Sequence, residues 1–168
     1  MKILVTGTAG FIGSHVATQL LARGDTVIGL DDLNDYYDVS LKRARLEPLL
    51  ENKNYSHSYI DLANRAAMED LFAQHKPERV IHLAAHAGVR YAATNPHIYV
   101  QSNITGFLHV LEGCRHNAVE HLVFASTYSV YGANTDMPFT EHKSTEHPLT
   151  LYAASKKASE MMAHSYAH

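Results

Sequence analysis

Cysteine is almost missing from this chain: Cys114 stands alone among 168 residues, which excludes an internal disulfide and suits a reducing compartment. No apolar run approaches the ~18 residues that a membrane-crossing helix needs. The short apolar run after Lys2 breaks at Gly7, too early for the core of a secretion signal. Blocks of Lys or Arg are also lacking, and a formal net charge of -3 leaves no cationic face for nucleic acid. There are no internal repeats and no low-complexity segments. The expectation is a soluble, cytoplasmic protein without a membrane or nucleic-acid partner. Histidine is plentiful at 13, but the residues are scattered. His82 and His86 are four apart, yet they fall at a strand end and in the loop after it, so no metal site is expected. Cys114 falls on the apolar side of a helix and reads as packing.

What is present is an ordinary globular composition, 46% apolar and 18% charged, on a length that suits one domain over residues 1–168. Apolar runs alternate with helical spacing. Strands are expected at the N-terminus, at 26–30, 55–60, 79–84 and 121–125. Helices are expected at 11–23, at 41–50 (disturbed by Pro48), at 64–75, from Asn95-Pro96 to about His116, and from about Thr150 onward. Residues 31–40 and 127–148 read as loops. Strands alternating with helices imply an α/β fold, a doubly wound parallel sheet of Rossmann type with helices on both faces.

The first strand enters Gly7-Thr-Ala-Gly10-Phe-Ile-Gly13, three glycines spaced three apart that open a helix. Gly7 permits a tight turn, Gly10 leaves room where a phosphate would approach, and Gly13 lets helix and strand pack closely. Unpaired N–H groups at the helix start would face the anion. Asp31 ends the next strand about twenty residues on, where a ribose diol would be gripped. This order of strand, glycines, helix, strand and acid points to a dinucleotide, with NAD as the cofactor.

A second region carries chemistry. Strand five runs into Ser126-Thr127, and Tyr152 and Lys156 stand four apart on the last helix, sharing a face. A free phenol titrates near 10, so a Tyr that acts as a base near neutrality must have its phenolate stabilised by about 4 kcal/mol. Lys156 and an oxidised nicotinamide would supply the positive charge. Thr127 would share a hydrogen bond to the substrate oxygen with Tyr152.

Thr6–Ser14, Asp31–Asp38, Leu83–Tyr91, Ser102-Asn103, Ser126-Thr127, Val130-Tyr-Gly132 and Tyr152-Ala-Ala-Ser-Lys156 together resemble the extended short-chain dehydrogenase/reductase family. Within it they resemble the nucleotide-sugar 4-epimerases, particularly the UDP-glucuronate 4-epimerases. The resemblance implies a cofactor held by Gly7, Ala9, Gly10, Phe11, Ile12, Gly13, Asp31 and Asp32, with Asp61 and Leu62 beside the adenine. Leu83, Ala84, Ala85, Asn103, Ser126, Tyr152 and Lys156 complete that set, although the residues themselves favour Asn103 slightly as a tether between helix and loop. Thr127, Tyr152 and Lys156 would be catalytic. Arg90, Thr127, Tyr128 and Ser129 would meet a UDP-sugar. Tyr128 stands where the family commonly has a small residue, so its ring would crowd the sugar carboxylate. Asp32 stands where Asn is common and would disfavour NADP, with Lys42, Arg43 and Arg45 opposing it. The resemblance also implies that a C-terminal substrate domain is lacking and that the chain is a homo-oligomer. Two other readings remain: a sugar-nucleotide 4,6-dehydratase relative, which would place Asp-Glu where Tyr128-Ser129 stand, and a non-catalytic NAD-binding fragment.

Overall fold

A computed structural model describes all residues, Met1–His168. Five parallel strands, β1 (Lys2–Thr6), β2 (Thr26–Leu30), β3 (Tyr55–Ser58), β4 (Arg79–His82) and β5 (His121–Phe124), form one sheet in the order β3-β2-β1-β4-β5. The order reverses direction at β1, so a crevice opens between the carboxyl ends of β1 and β4.

The period of two along β1 sorts its side chains between two cores. Ile3 and Val5 join Val27, Ala17, Leu20, Leu21, Leu46 and Leu49 beneath α1 (Phe11–Ala22) and α2 (Val39–Leu50). Leu4 joins Ile28, Val80, Phe72, Phe107 and Leu111 on the opposite face, beneath α3 (Arg65–His75) and the long helix of the C-terminal half. Helices therefore cover both faces, as a sheet of buried parallel strands requires. This is the doubly wound, Rossmann-like arrangement expected. No helix is long and apolar enough to cross a membrane.

Local chemistry sets the ends. Asp38 and Asn64 accept hydrogen bonds from the N–H groups of Ser40 and Ala67 and so cap α2 and α3. The cap on Asp38 starts α2 two residues before the predicted Leu41, and Pro48 is accommodated in its last turn. Lys76 ends α3 in the left-handed conformation, φ 45°. Strand β4 stops at His82, not at Ala84, because the Thr6 hydroxyl accepts the N–H groups of both Leu83 and Ala84, each at 3.1 Å.

Three short elements escape the sequence pattern. A six-residue helix, α4 (Val89–Thr94), precedes the expected helix. That helix continues as α5 (Pro96–Tyr99), a π-helical stretch over Val100–Gly106, and α6 (Phe107–His116). A 3₁₀ turn over Tyr128–Tyr131 packs against the last helix, α7 (Leu151–Tyr166). Cys114 packs against the second core, and burial pushes its thiol up to about 12, so the cysteine is inert packing.

Candidate functional site

A cavity of about 530 Å³ lies at the carboxyl ends of the strands. Its floor is the turn between β1 and α1. Gly7 sits at φ 79°, and a Cβ there would come within 2.8 Å of the Ala84 nitrogen. A Cβ on Gly13 would collide with the Gly7 carbonyl, so this glycine sets how closely the helix approaches the turn. The N–H groups of Phe11, Ile12 and Gly13 have no acceptor in the chain. They stand at the positive end of a 12-residue helix and are available to an anion in the cavity.

Asp31 does more than end β2. One carboxylate oxygen accepts the Ala9 N–H at 3.1 Å and the other accepts the Leu33 N–H at 3.0 Å. The acid thereby locks the glycine turn to the end of β2 while keeping lone pairs for a ligand. Burial pushes its carboxyl above the usual range, against the opposing pull of the Leu33 N–H and the Lys42 charge. Ala9 is fully buried and acts through this bond, not as a lining residue.

The lining also includes Asp32, Asp61, Leu62, Leu83, Ala84 and Ala85. Asp32 accepts from the Asn34 N–H and amide at 3.0 and 2.7 Å. Of the three cations weighed against NADP discrimination, Lys42 and Arg45 line the cavity and Arg43 does not. Lys42 donates to the Asn34 carbonyl and side-chain oxygen at 2.8 and 3.0 Å, and Arg45 donates to the Tyr37 hydroxyl at 3.0 Å. Both are anchored by the loop of residues 31–38 instead of reaching freely into the cavity.

Beneath the turn lies a hydrogen-bonded chain that the sequence pattern does not announce. The buried Tyr55 hydroxyl donates to Thr8 Oγ1 at 3.0 Å and lies 2.8 Å from His57 Nδ1. It ties the glycine turn to edge strand β3, and Gly29 is what leaves space for the Tyr55 ring.

Ser126, Thr127, Tyr152, Lys156 and Asn103 do not line the cavity; they stand beyond its β5 end, where Ala125 closes the lining. Thr127 Oγ1 accepts the Ser129 N–H at 3.2 Å, which caps the 3₁₀ turn and leaves the hydroxyl proton free to donate. That turn packs against α7, the helix that carries Tyr152 and Lys156. The Tyr152 ring is half-buried and meets Tyr99 edge-on at 6.2 Å. Lys156 is 4% exposed, yet its ammonium makes no hydrogen bond or ion pair within the chain. Burial pulls its pKa down to about 8, with the Glu160 charge acting in the other direction.

Two side chains here are tied to neighbouring elements. Asn103 is a tether: Oδ1 accepts the His86 N–H at 2.8 Å, and Nδ2 donates to the His86 carbonyl and to Ser155 Oγ at 2.9 and 3.0 Å. Both amide protons are engaged inside the chain, and Oδ1 keeps one lone pair. Ser126 donates to Glu160, which also accepts from Lys157, so this serine joins the β5 loop to α7. Arg90 is exposed at the start of α4, over a separate open hollow that it shares with Tyr36, Tyr91 and Thr94. Tyr128 is 77% exposed.

The signature of the GDP-mannose 4,6 dehydratase family matches residues 4–168. The chain is 52% identical to UDP-glucuronate 4-epimerase 3 of Arabidopsis thaliana over 99% of its own length and 39% of that relative. It is 51% identical to protein CapI of Staphylococcus aureus over its whole length and half of that protein. In backbone it is similar to the UDP-glucuronic acid 4-epimerase of Bacillus cereus, crystallised with UDP-glucuronic acid and NAD. That likeness has a TM-score of 0.88 at 33% identity and covers 99% of this chain and 52% of that one. The chain thus spans about half the length of the relatives it matches, or less. Since the family signature runs from β1 to the end of α7 without a break, the chain belongs to the GDP-mannose 4,6 dehydratase family.

Proposed function

We propose that the chain is the cofactor-binding and catalytic half of an NAD-dependent nucleotide-sugar 4-epimerase that interconverts UDP-glucuronate and UDP-galacturonate. The observation that carries this reading is Lys156, a side chain 4% exposed whose ammonium has no partner in the chain and stays open at its tip, on the same helix face as Tyr152. A cation largely withdrawn from water without a partner is costly, and such a lysine fits a site that a ligand completes. The cavity fits the other end of the same ligand. It offers three free N–H groups for a diphosphate and a buried carboxylate for a ribose diol.

NAD, when bound, supplies the acceptor and donor of the sugar C4 hydride. The protein's part is proton transfer and charge. Tyr152 as phenolate takes the proton of the C4 hydroxyl and returns it after the sugar has turned its other face. Thr127, with its lone pair engaged by Ser129, donates its hydroxyl proton to the same sugar oxygen. Lys156 holds positive charge beside the phenolate.

The family signature also admits elimination chemistry, which needs an acid and a base next to Thr127. Tyr128 and Ser129 stand there, and the nearest carboxylate engaged with this loop, Glu160, is bound to Ser126 and Lys157. These contacts favour epimerisation. The test is incubation of the chain with NAD and UDP-glucuronate, with products separated by chromatography. UDP-galacturonate is expected. A 4-keto-6-deoxy sugar would favour the dehydratase reading, and NAD binding without any product would leave a cofactor-binding module.

The same proposal includes a second copy of the chain as partner. Strand β5 pairs on one side only, and Val123 on its surface is 48% exposed, so its outer edge is a template for strand addition. Light scattering is expected to report an oligomer; a clean monomer at high concentration would remove this part of the reading.

A further inference from the structure

The loop after β4 carries a side chain for which neither the glycine turn nor the Tyr152 helix accounts. His86 is 6% exposed and lines the cavity. Its main chain is fixed from both sides by Asn103, which is itself bonded to Ser155 on α7. Its ring is fenced by tyrosines: Tyr36 edge-on at 5.6 Å, Tyr99 at 5.8 Å and Tyr91 stacked at 6.4 Å. Backbone and ring are therefore both held in place.

The two ring nitrogens differ. Nδ1 is buried and has no hydrogen-bond partner, whereas Nε2 is the nitrogen left open and makes no bond within the chain. Protonating Nδ1 would bury an N–H with no acceptor, which costs more than leaving a lone pair there. The single proton of the neutral imidazole thus resides on Nε2, where it is a donor. The charged groups around the ring are Asp32 and Asp61, which favour a second proton, and Lys42, which opposes it; burial outweighs them and holds the ring neutral. Strand order adds direction: Asp31 follows β2 and Asp61 follows β3, whereas His86 follows β4 on the other side of the glycine turn. Asp32 and Asp61 are near enough to act on its ring and are bonded to neither nitrogen.

We propose that His86 is a dinucleotide-binding residue whose Nε2–H donates to an oxygen on the nicotinamide side of the cofactor, in the diphosphate or the nicotinamide ribose. The proposal rests on the NAD reading above. Its test is titration of the chain and of its His86→Leu and His86→Gln variants with NADH, ADP and AMP, followed by fluorescence or calorimetry. His86→Leu is expected to weaken NADH by about tenfold, the scale of one lost hydrogen bond, and to leave AMP unchanged. His86→Gln keeps an N–H at similar reach and is expected to stay within about threefold of the parent. A parallel loss for ADP assigns the acceptor to the diphosphate; an unchanged ADP assigns it to the ribose. Equal NADH affinity in the parent and His86→Leu overturns the proposal, as does an equal loss for AMP, which would report a collapsed loop. A parent chain that binds no NADH removes the cofactor reading itself and this assignment with it.

Discussion

Lys156→Met raises the melting temperature of the ligand-free chain by about 6 °C and weakens NAD binding by about tenfold or more. The two effects have one cause. Burial lowers the Lys156 pKa from 10.5 to about 8, a cost to the folded state on the order of 3 kcal/mol at neutral pH. Met keeps the length and flexibility of the lysine stem and removes the charge, so most of that cost is relieved, about 2 kcal/mol after imperfect packing. The sign also fixes a pH dependence. Below pH 8 lysine is protonated in both folded and unfolded chains, and the penalty is present in full. Between 8 and 10.5 the unfolded chain holds the extra proton, so the parent gains stability as pH rises. The advantage of Lys156→Met is therefore expected to shrink steadily across that interval in thermal melts. A variant less stable than the parent at pH 7 would show that the ammonium has a partner in the folded chain. Stability surrendered at one residue for the sake of a ligand is the usual mark of a functional site.

Much of this architecture is legible in the chain, and the exceptions share a physical origin. Glycine spacing and the alternation of apolar residues report on backbone demands and on faces, so the strand order of elements and both cores follow from them. Side chains that end or redirect an element leave no periodic trace. Thr6 terminates β4 with its hydroxyl, a contact between residues 77 apart that no local pattern contains. The π-helical stretch over Val100–Gly106 preserves the apolar spacing on which a plain helix would be predicted. Asn103 lies within that stretch, and its amide bonds the main chain of His86. His86 itself reads as one histidine among many, because its meaning lies in which nitrogen is open, a property of packing. The Ser126–Glu160 contact joins β5 to α7 across 34 residues and escapes for the same reason. Ala9 is the converse case. It stands inside the expected fingerprint, but its contribution is an N–H given to Asp31 and not a surface offered to a ligand.

Acid is expected to unfold the chain between about pH 6 and pH 4, and two histidines contribute most to it. His82 is fully buried against Phe107, with Thr6 Oγ1 2.8 Å from its Nδ1, and burial with the nearby Lys156 charge pulls its pKa from 6.5 to about 3. His57 lies under the glycine turn beside Tyr55, and burial pulls it to about 4. Both are neutral in the folded chain throughout the window in which the unfolded chain binds a proton at each. The stability they permit is whole above 6.5 and is lost as pH falls toward 4 and 3. Together the loss is on the order of 5 kcal/mol by pH 4, comparable with the whole stability of an ordinary domain. Asp31 acts in the opposite direction, because its raised pKa lets the folded chain take a proton first. Asp25, held low mainly by its hydrogen bond from Arg23, adds its own loss only below 3.8. Urea titrations at a series of pH values are expected to show uptake of nearly two protons from His82 and His57 on unfolding near pH 5, with His75 and His86, also lowered by burial, adding to it. His57→Asn retains a polar atom toward the Tyr55 hydroxyl and removes one titrating ring, so the uptake should fall by one. An unchanged slope in that variant would mean that His57 is already charged in the folded chain. The Tyr55 network would then stabilise the glycine turn with an imidazolium at its end.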